Sequence, residues 1–246
     1  MIADILTVMW KERKALFRAR GRRSQTILAL ATPLLMAIVL PIQVESDWLS
    51  GVLSLLLAFF VTLLVVGITI PDAFAGEREH HTLATLLASR LPDRAILIGK
   101  AAVCVLLGWG ITLAALAVGL VSMNVAHWQG SFRFYTATTL IADVSLSLLL
   151  AILVASVGVL FSLRSASVQE AQQTLMAVMM LPAVLMQGVA FVLLGSTSGR
   201  ERVRAFFSTV SYGEIVLAVA AVLVVLDALL VAMVLARFRR ARLIQG

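Results

Sequence analysis

Asp143 and Asp227 each stand inside a long apolar run. A carboxyl at membrane depth costs about 2.5–3.5 kcal/mol on insertion scales, so an acid kept there marks a substrate or ion path, or a hydrogen-bond anchor between helices. Asp143 falls near the start of its run and could also face outer water or pair with Arg133, whereas Asp227 lies deeper. The other chemistry-bearing residues do not combine. His80 and His81 are adjacent, so they point to different faces of a helix, and His127 is remote, which makes a poor metal set. Cys104 has no second cysteine to pair with and reads as a small buried hydrophobe. The serines carry no Gly-x-Ser-x-Gly context, which disfavours a hydrolase. No G-x-x-x-x-G-K-[ST] loop occurs, because Gly99-Lys100 lacks both the preceding glycine and the following hydroxyl, so ATP would have to bind another polypeptide. Met176, Met179, Met180 and Met186 read as helix packing. Gln169, Glu170, Gln172 and Gln173 read as a helix cap or a second cytoplasmic contact.

The elements that must position these residues are membrane helices. The chain of 246 residues is 61% hydrophobic and 13% charged, against roughly 45–50% and about 25% in an ordinary globular domain. Residues 24–44, 48–71, 101–132, 144–163 and 171–199 are free of Asp, Glu, Lys and Arg, and 215–236 is interrupted only by Asp227. Each reaches the roughly 20 residues that cross about 30 Å of hydrocarbon at 1.5 Å per residue. In lipid the backbone must satisfy its own N–H and C=O groups, so such runs have to be helices. The alternating segments of roughly 10 residues that build a barrel are missing. The expected fold is an all-α integral membrane protein with six transmembrane helices, spanning approximately 24–43, 49–71, 100–122, 137–163, 171–195 and 213–236.

Charge sets the expected topology. A formal charge of +7 and a pI near 10.7 could suggest a nucleic-acid partner. Membrane proteins instead collect Lys and Arg in cytoplasmic loops, and no nucleic acid is expected. With the N-terminus inside, the outer loops hold only Arg133, Arg200, Arg202 and Arg204 of the chain's 20 basic residues, so both termini are expected to be cytoplasmic. The Arg200/Arg202/Arg204 cluster runs against the rule and could form a short helix on the outer headgroups. Residues 1–23 are polar and amphipathic and end in no cleavage pattern, so a signal peptide is not expected. Ile2, Ile5, Leu6, Met9, Trp10, Leu16 and Phe17 recur at helical spacing while Asp4, Lys11, Glu12, Lys14 and Arg18 face elsewhere, predicting an interfacial helix over 2–18. Arg18, Arg20, Arg22 and Arg23 would then meet anionic headgroups.

Residues 72–99 form the only sizeable cytoplasmic surface expected between spans. Pro71 and Pro92 bracket it, and Thr82, Leu83, Leu86 and Leu87 make an apolar ridge at helical spacing after a charged first turn. A bare ridge of that kind needs a partner. The run Phe74-Ala-Gly-Glu-Arg-Glu-His-His-Thr-Leu-Ala-Thr-Leu-Leu, continuing to Gly99-Lys100, resembles the first cytoplasmic loop of permease subunits of type-2 ATP-binding-cassette exporters. A pattern of Gly-Glu-Arg/Lys-Glu, Thr-Leu, Leu-Leu and Gly-Lys recurs there. The N-terminal helix, six spans and Leu181-Pro182 extend the likeness over nearly the whole chain. His81 departs from the family's usual Gly, and Ala84 from its frequent Glu.

The resemblance implies that Gly76, Glu77, Arg78, Glu79, Thr82, Leu83, Leu86 and Leu87 form a coupling helix against a nucleotide-binding ATPase subunit. It also implies a second permease copy or paralogue, a multi-pass location in the cell membrane, and no cofactor in this chain, ATP and Mg being bound by the partner. The chain itself would not be an enzyme. Asp143 and Asp227 are the possible translocation-path residues, and an ion-gradient-driven transporter or channel using them is the alternative. A lipid-modifying membrane enzyme would cluster acids, His or metal ligands near one interface, which this sequence does not do.

Overall fold

The computed structural model of the chain describes residues 2–18, 23–44, 47–79 and 92–237, and all regular structure in them is helical. The elements are α1 (Ile2–Arg18), α2 (Arg23–Val44), α3 (Asp47–Ser50), α4 (Val52–Glu79), α5 (Asp93–Ala126), α6 (Ala137–Ser162), α7 (Val168–Gly195), α8 (Thr197–Thr209) and α9 (Tyr212–Arg237). Five of them, α4, α5, α6, α7 and α9, are long and apolar enough to cross a membrane, the architecture of a multi-pass membrane protein. Within α2 the stretch Ala31–Val44 is apolar but shorter.

Helix α4 is the centre of the bundle. It packs against α5, α6, α7 and α2, and 56% of its most apolar stretch is buried, against 6% for α7 and for α9. Leu63, Val66, Ile70 and Phe74 of α4 meet Cys104 of α5, Leu150 and Val154 of α6, and Leu175 of α7 in one core. Close approach depends on small residues, as is usual between membrane helices. A Cβ on Gly158 of α6 would stand 2.7 Å from the Ile70 Cγ2, so glycine is what lets α6 reach α4.

The helix starts are built by side chains that replace missing backbone partners. Thr136 accepts from the Thr139 N–H at α6. At α7 the Ser167 hydroxyl accepts from the Glu170 N–H while the Glu170 carboxylate accepts from the Ala166 N–H. At α9 the exchange is reciprocal: the Glu214 N–H donates to the Ser211 hydroxyl and the Ser211 N–H to the Glu214 carboxylate.

Residues 72–79, expected as loop, are instead the last two turns of α4, and 93–99 are the first two turns of α5. Proline deprives a helix of one N–H and disturbs the carbonyls of the preceding turn. Here neighbours supply donors at that turn: Gln172 Nε2 donates to the Ile68 carbonyl at 3.3 Å and Cys104 Sγ to the Thr69 carbonyl at 3.6 Å. Pro71 is carried inside α4 and does not end it.

At the end of the bundle opposite α1, polar bonds fix the connections. Trp48 Nε1 donates to Tyr135 Oη at 2.9 Å, and Tyr135 Oη donates to the Leu116 carbonyl at 3.0 Å. Burial pushes the Tyr135 phenol above its ordinary value, the bond from Trp48 opposes that, and the nearby Asp143 adds to it. Asn124 exchanges two bonds with the Arg133 backbone, closing the turn between α5 and α6.

Candidate functional site

Lys100 occupies the second turn of α5, at the α1 end of the bundle, and is 2% exposed. An ammonium removed from water is tolerated only when it is paired and its three N–H donors are used. Its Nζ lies 2.7 Å from Glu77 Oε1 on α4, 3.3 Å from Glu12 Oε1 on α1, and donates to the Ala73 carbonyl at 3.0 Å. The Phe74 ring covers it at 5.8 Å. One cation thus ties three helices, α1, α4 and α5, at a single point.

The seat for α1 is cut to fit this joint. A Cβ on Gly99 would stand 2.8 Å from Val8 Cβ and 3.2 Å from the Ile5 carbonyl, so α1 lies directly on the α5 backbone. Val8 is buried there, while Leu6 and Trp10 on the opposite face are 59% and 58% exposed. Lys14 Nζ sits 4.7 Å over the Trp10 ring. The helix over 2–18 is where the sequence puts it, but its polar face is not simply solvated: Glu12 turns inward, because the buried Lys100 needs a counter-charge.

The next turn adds a fourth helix. Glu79 Oε2 accepts from the Val168 N–H at 3.0 Å, satisfying an orphan donor at the start of α7, where a negative charge also meets the positive end of the helix dipole. Gly76 faces the same contact, with a Cβ there 3.6 Å from Val168 Cγ2. The expected coupling-helix residues therefore divide. Gly76, Glu77, Arg78 and Glu79 are the end of α4, and Glu77 and Glu79 bond to the bundle. Thr82, Leu83, Leu86 and Leu87, together with His80 and His81, lie outside the described residues.

Asp143 and Asp227 are brought into the bundle but not to each other's level. Asp143 is 0% exposed near the start of α6, and Asp227 is 6% exposed in the second half of α9. Neither carboxyl is paired with a cation among the described residues, and the Ser54 hydroxyl stands beside Asp143. Of the alternatives open to Asp143, the pair with Arg133 does not form: Arg133 donates to the His127 carbonyl at 3.5 Å. Arg200, Arg202 and Arg204 fall on α8, a helix as the sequence allows, with Arg200 and Arg202 exposed. Glu170 caps α7 and Gln172 braces α4, and neither joins a site. Among the described residues no group of three His, Cys, Asp or Glu could hold a metal ion.

Sequence reasoning missed the Glu12–Lys100–Glu77 cluster. Its one local signal is a lysine at the head of an apolar run, eight residues past Pro92, in a place where solvent is not available. The chain matches no known family model and no curated protein.

Proposed function

We propose that the chain is the permease subunit of an ATP-binding-cassette exporter. It crosses the cell membrane six times with both termini in the cytoplasm, α2 providing the first span. A separate nucleotide-binding subunit binds ATP and Mg, and a second permease copy or paralogue completes the path.

One observation carries this reading: both flanks of the 80–91 segment are anchored to the bundle. On one side Glu77 and Glu79 bind α5 and α7, and on the other Lys100 binds α1 and α4. A push on a segment with such flanks tilts four helices together, which is what a chain without a nucleotide site of its own requires. The buried charge network makes the joint stiff, because separating any partner strands a charge away from water. The outer half of α7 supports a partner copy, since Leu181, Val184, Leu185, Met186, Val189, Phe191 and Val192 are 58–82% exposed around the whole helix.

The test is purification of the intact assembly from its native membrane, followed by ATP turnover in lipid discs. We expect an ATPase to accompany the wild-type chain and to be lost when Leu83 and Leu86 are replaced by Asp. With Lys100→Met, an ATPase that still binds should no longer respond to the permease. If no ATPase accompanies the chain, or its turnover ignores all three substitutions, the assignment is wrong.

A second reading has one observation in its favour. Asp143 and Asp227 are buried without a cation partner among the described residues, as acids in an ion-driven transporter or channel would be. It requires transport to persist in the absence of ATP and to stop in an Asp227→Asn variant.

A further inference from the structure

Between α5 and α6, the end of the bundle opposite α1 carries three exposed aromatic rings: Trp128 at 63%, Phe132 at 46% and Phe134 at 71%. The Phe132 and Phe134 rings lean on each other with centroids 4.8 Å apart. Their neighbours in sequence turn back to the protein. The Arg133 backbone is held by two bonds to Asn124, its guanidinium donates to the His127 carbonyl, and Tyr135 is tied to Trp48 and to the Leu116 carbonyl. The Thr136 N–H donates to the Leu49 carbonyl at 3.0 Å, and Gly130, at φ 82°, makes a reversal that a side chain would strain. The rings are presented by a braced tip.

Aromatic surface held outward in this way needs an occupant. Apolar exposure continues into the helices that carry the tip: Val121 and Val125, one turn apart at the end of α5, and Ile141 near the start of α6 are all exposed. Residues 127–142 contain no Asp or Glu, and the exposed positions between Trp128 and Phe132 are the neutral Gln129, Gly130 and Ser131. Apolar helix sides below, an aromatic rim above and no acid at the rim are what a phospholipid headgroup layer accepts, because an aromatic ring there keeps its body among acyl chains and its polar edge in the wet zone.

Helix α1 repeats the pattern at the other end. Leu6 and Trp10 point away from the bundle, Lys14 stands over the Trp10 ring, and Lys11 and Arg13 are exposed beside them, a basic edge that complements lipid phosphate. Val8 rests on Gly99, so this rim is level with the second turn of α5. From Gly99 to Ala126, α5 rises about 40 Å at 1.5 Å per residue. A bilayer with its headgroup layers is about 40–45 Å thick. The two aromatic rims stand one bilayer apart.

We propose that the 128–134 tip and the Leu6–Trp10 face of α1 are lipid-docking rims, each seated in the phospholipid headgroup layer of one leaflet, and that together they fix the depth of α5 in the membrane. The proposal rests on the multi-pass architecture and on no assumption about ATP, so its failure and the failure of the exporter reading are separate results.

The experiment places the full chain, one copy per lipid disc, in phospholipids brominated either near the top of the acyl chain or near its end. Subtracting the emission of Trp128→Phe, or of Trp10→Phe, from that of the wild type isolates each indole, and phenylalanine keeps an aromatic ring in place. For both indoles the shallow bromine should quench about twofold or more strongly than the deep one, with little quenching by aqueous iodide. An indole that iodide quenches and lipid does not, one quenched most by the deep bromine, or one that neither reaches overturns the proposal. A Trp128 signal quenched from lipid with one chain per disc and shielded with two assigns the tip to a second copy, and overturns it as well. Hydroxyl-radical oxidation of the unsubstituted chain, read residue by residue by mass spectrometry, needs no variant. Lipid cover spares Trp128 and Phe134, and strong oxidation of both would exclude docking of the tip even if a variant misfolds.

Discussion

Lys100 and Asp143 are both ionisable groups withdrawn from water in an apolar bundle, and they are treated in opposite ways. Lys100 has two carboxylates and a carbonyl within 3.3 Å. Asp143 has only the Ser54 hydroxyl beside it and no cation. The difference is one of composition at the two ends. Near Lys100, α1 and α4 bring Glu12 and Glu77 to the same point, so the charge becomes a mechanical joint. Around Asp143 the described residues bring the Ser54 hydroxyl and no cation, so no ion pair forms there. A buried charge held by partners on other helices marks a fixed part of the fold.

The sharpest way to break the comparison is to delete each charge and measure stability in the same lipid disc. Lys100→Met strands Glu12 and Glu77 beside each other, and removal of one partner from a buried network costs about 3–5 kcal/mol. Thermal unfolding should show a large loss, with most of it restored by adding Glu12→Gln and Glu77→Gln. A triple variant no more stable than Lys100→Met would mean that packing, not charge, holds this end.

The next effect is steric. Gly99→Val drives a side chain into Val8 and the Ile5 carbonyl, and overpacking of this kind costs about 1–3 kcal/mol. Protease digestion should then release α1 while the rest of the bundle stays protected. Retained protection would show that α1 is not seated on Gly99.

Asp143→Asn should go the other way. Replacing a buried carboxyl that has no cation partner is expected to be neutral or to stabilise by about 1–3 kcal/mol. The opposite signs at Lys100 and Asp143 are the core of the comparison, and a loss at both sites as large as that of Lys100→Met would erase it. The smallest effect belongs to Glu79→Gln, where an exposed carboxylate at the start of α7 contributes about 0.3–1 kcal/mol. Hydrogen exchange confined to the first turn of α7 is the readout, and an unchanged rate there would remove Glu79 from the joint.

Several features of this arrangement are legible in the residues alone. The charge-free runs over 144–163 and 171–199 fall largely within α6 and α7, because an apolar stretch of that length in lipid has no other way to satisfy its backbone. The helix over 2–18 follows from spacing. Ser167 with Glu170, and Ser211 with Glu214, carry the three-residue offset that opens a helix. Pro71, by contrast, reads as a stop, since the donors from Gln172 and Cys104 that accommodate it come from distant segments.

That this chain is helical, apolar and long enough to cross a membrane repeatedly is written in its residues, because hydropathy and backbone satisfaction are properties of each segment. Which charges meet is settled by packing. Glu12 and Lys100 are 88 positions apart, and nothing in either neighbourhood specifies the other. Arg133, the partner that proximity in sequence suggests for Asp143, is turned away by the fold. Pairing depends on where packed helices place their side chains in three dimensions, and an interior without water makes every such placement count.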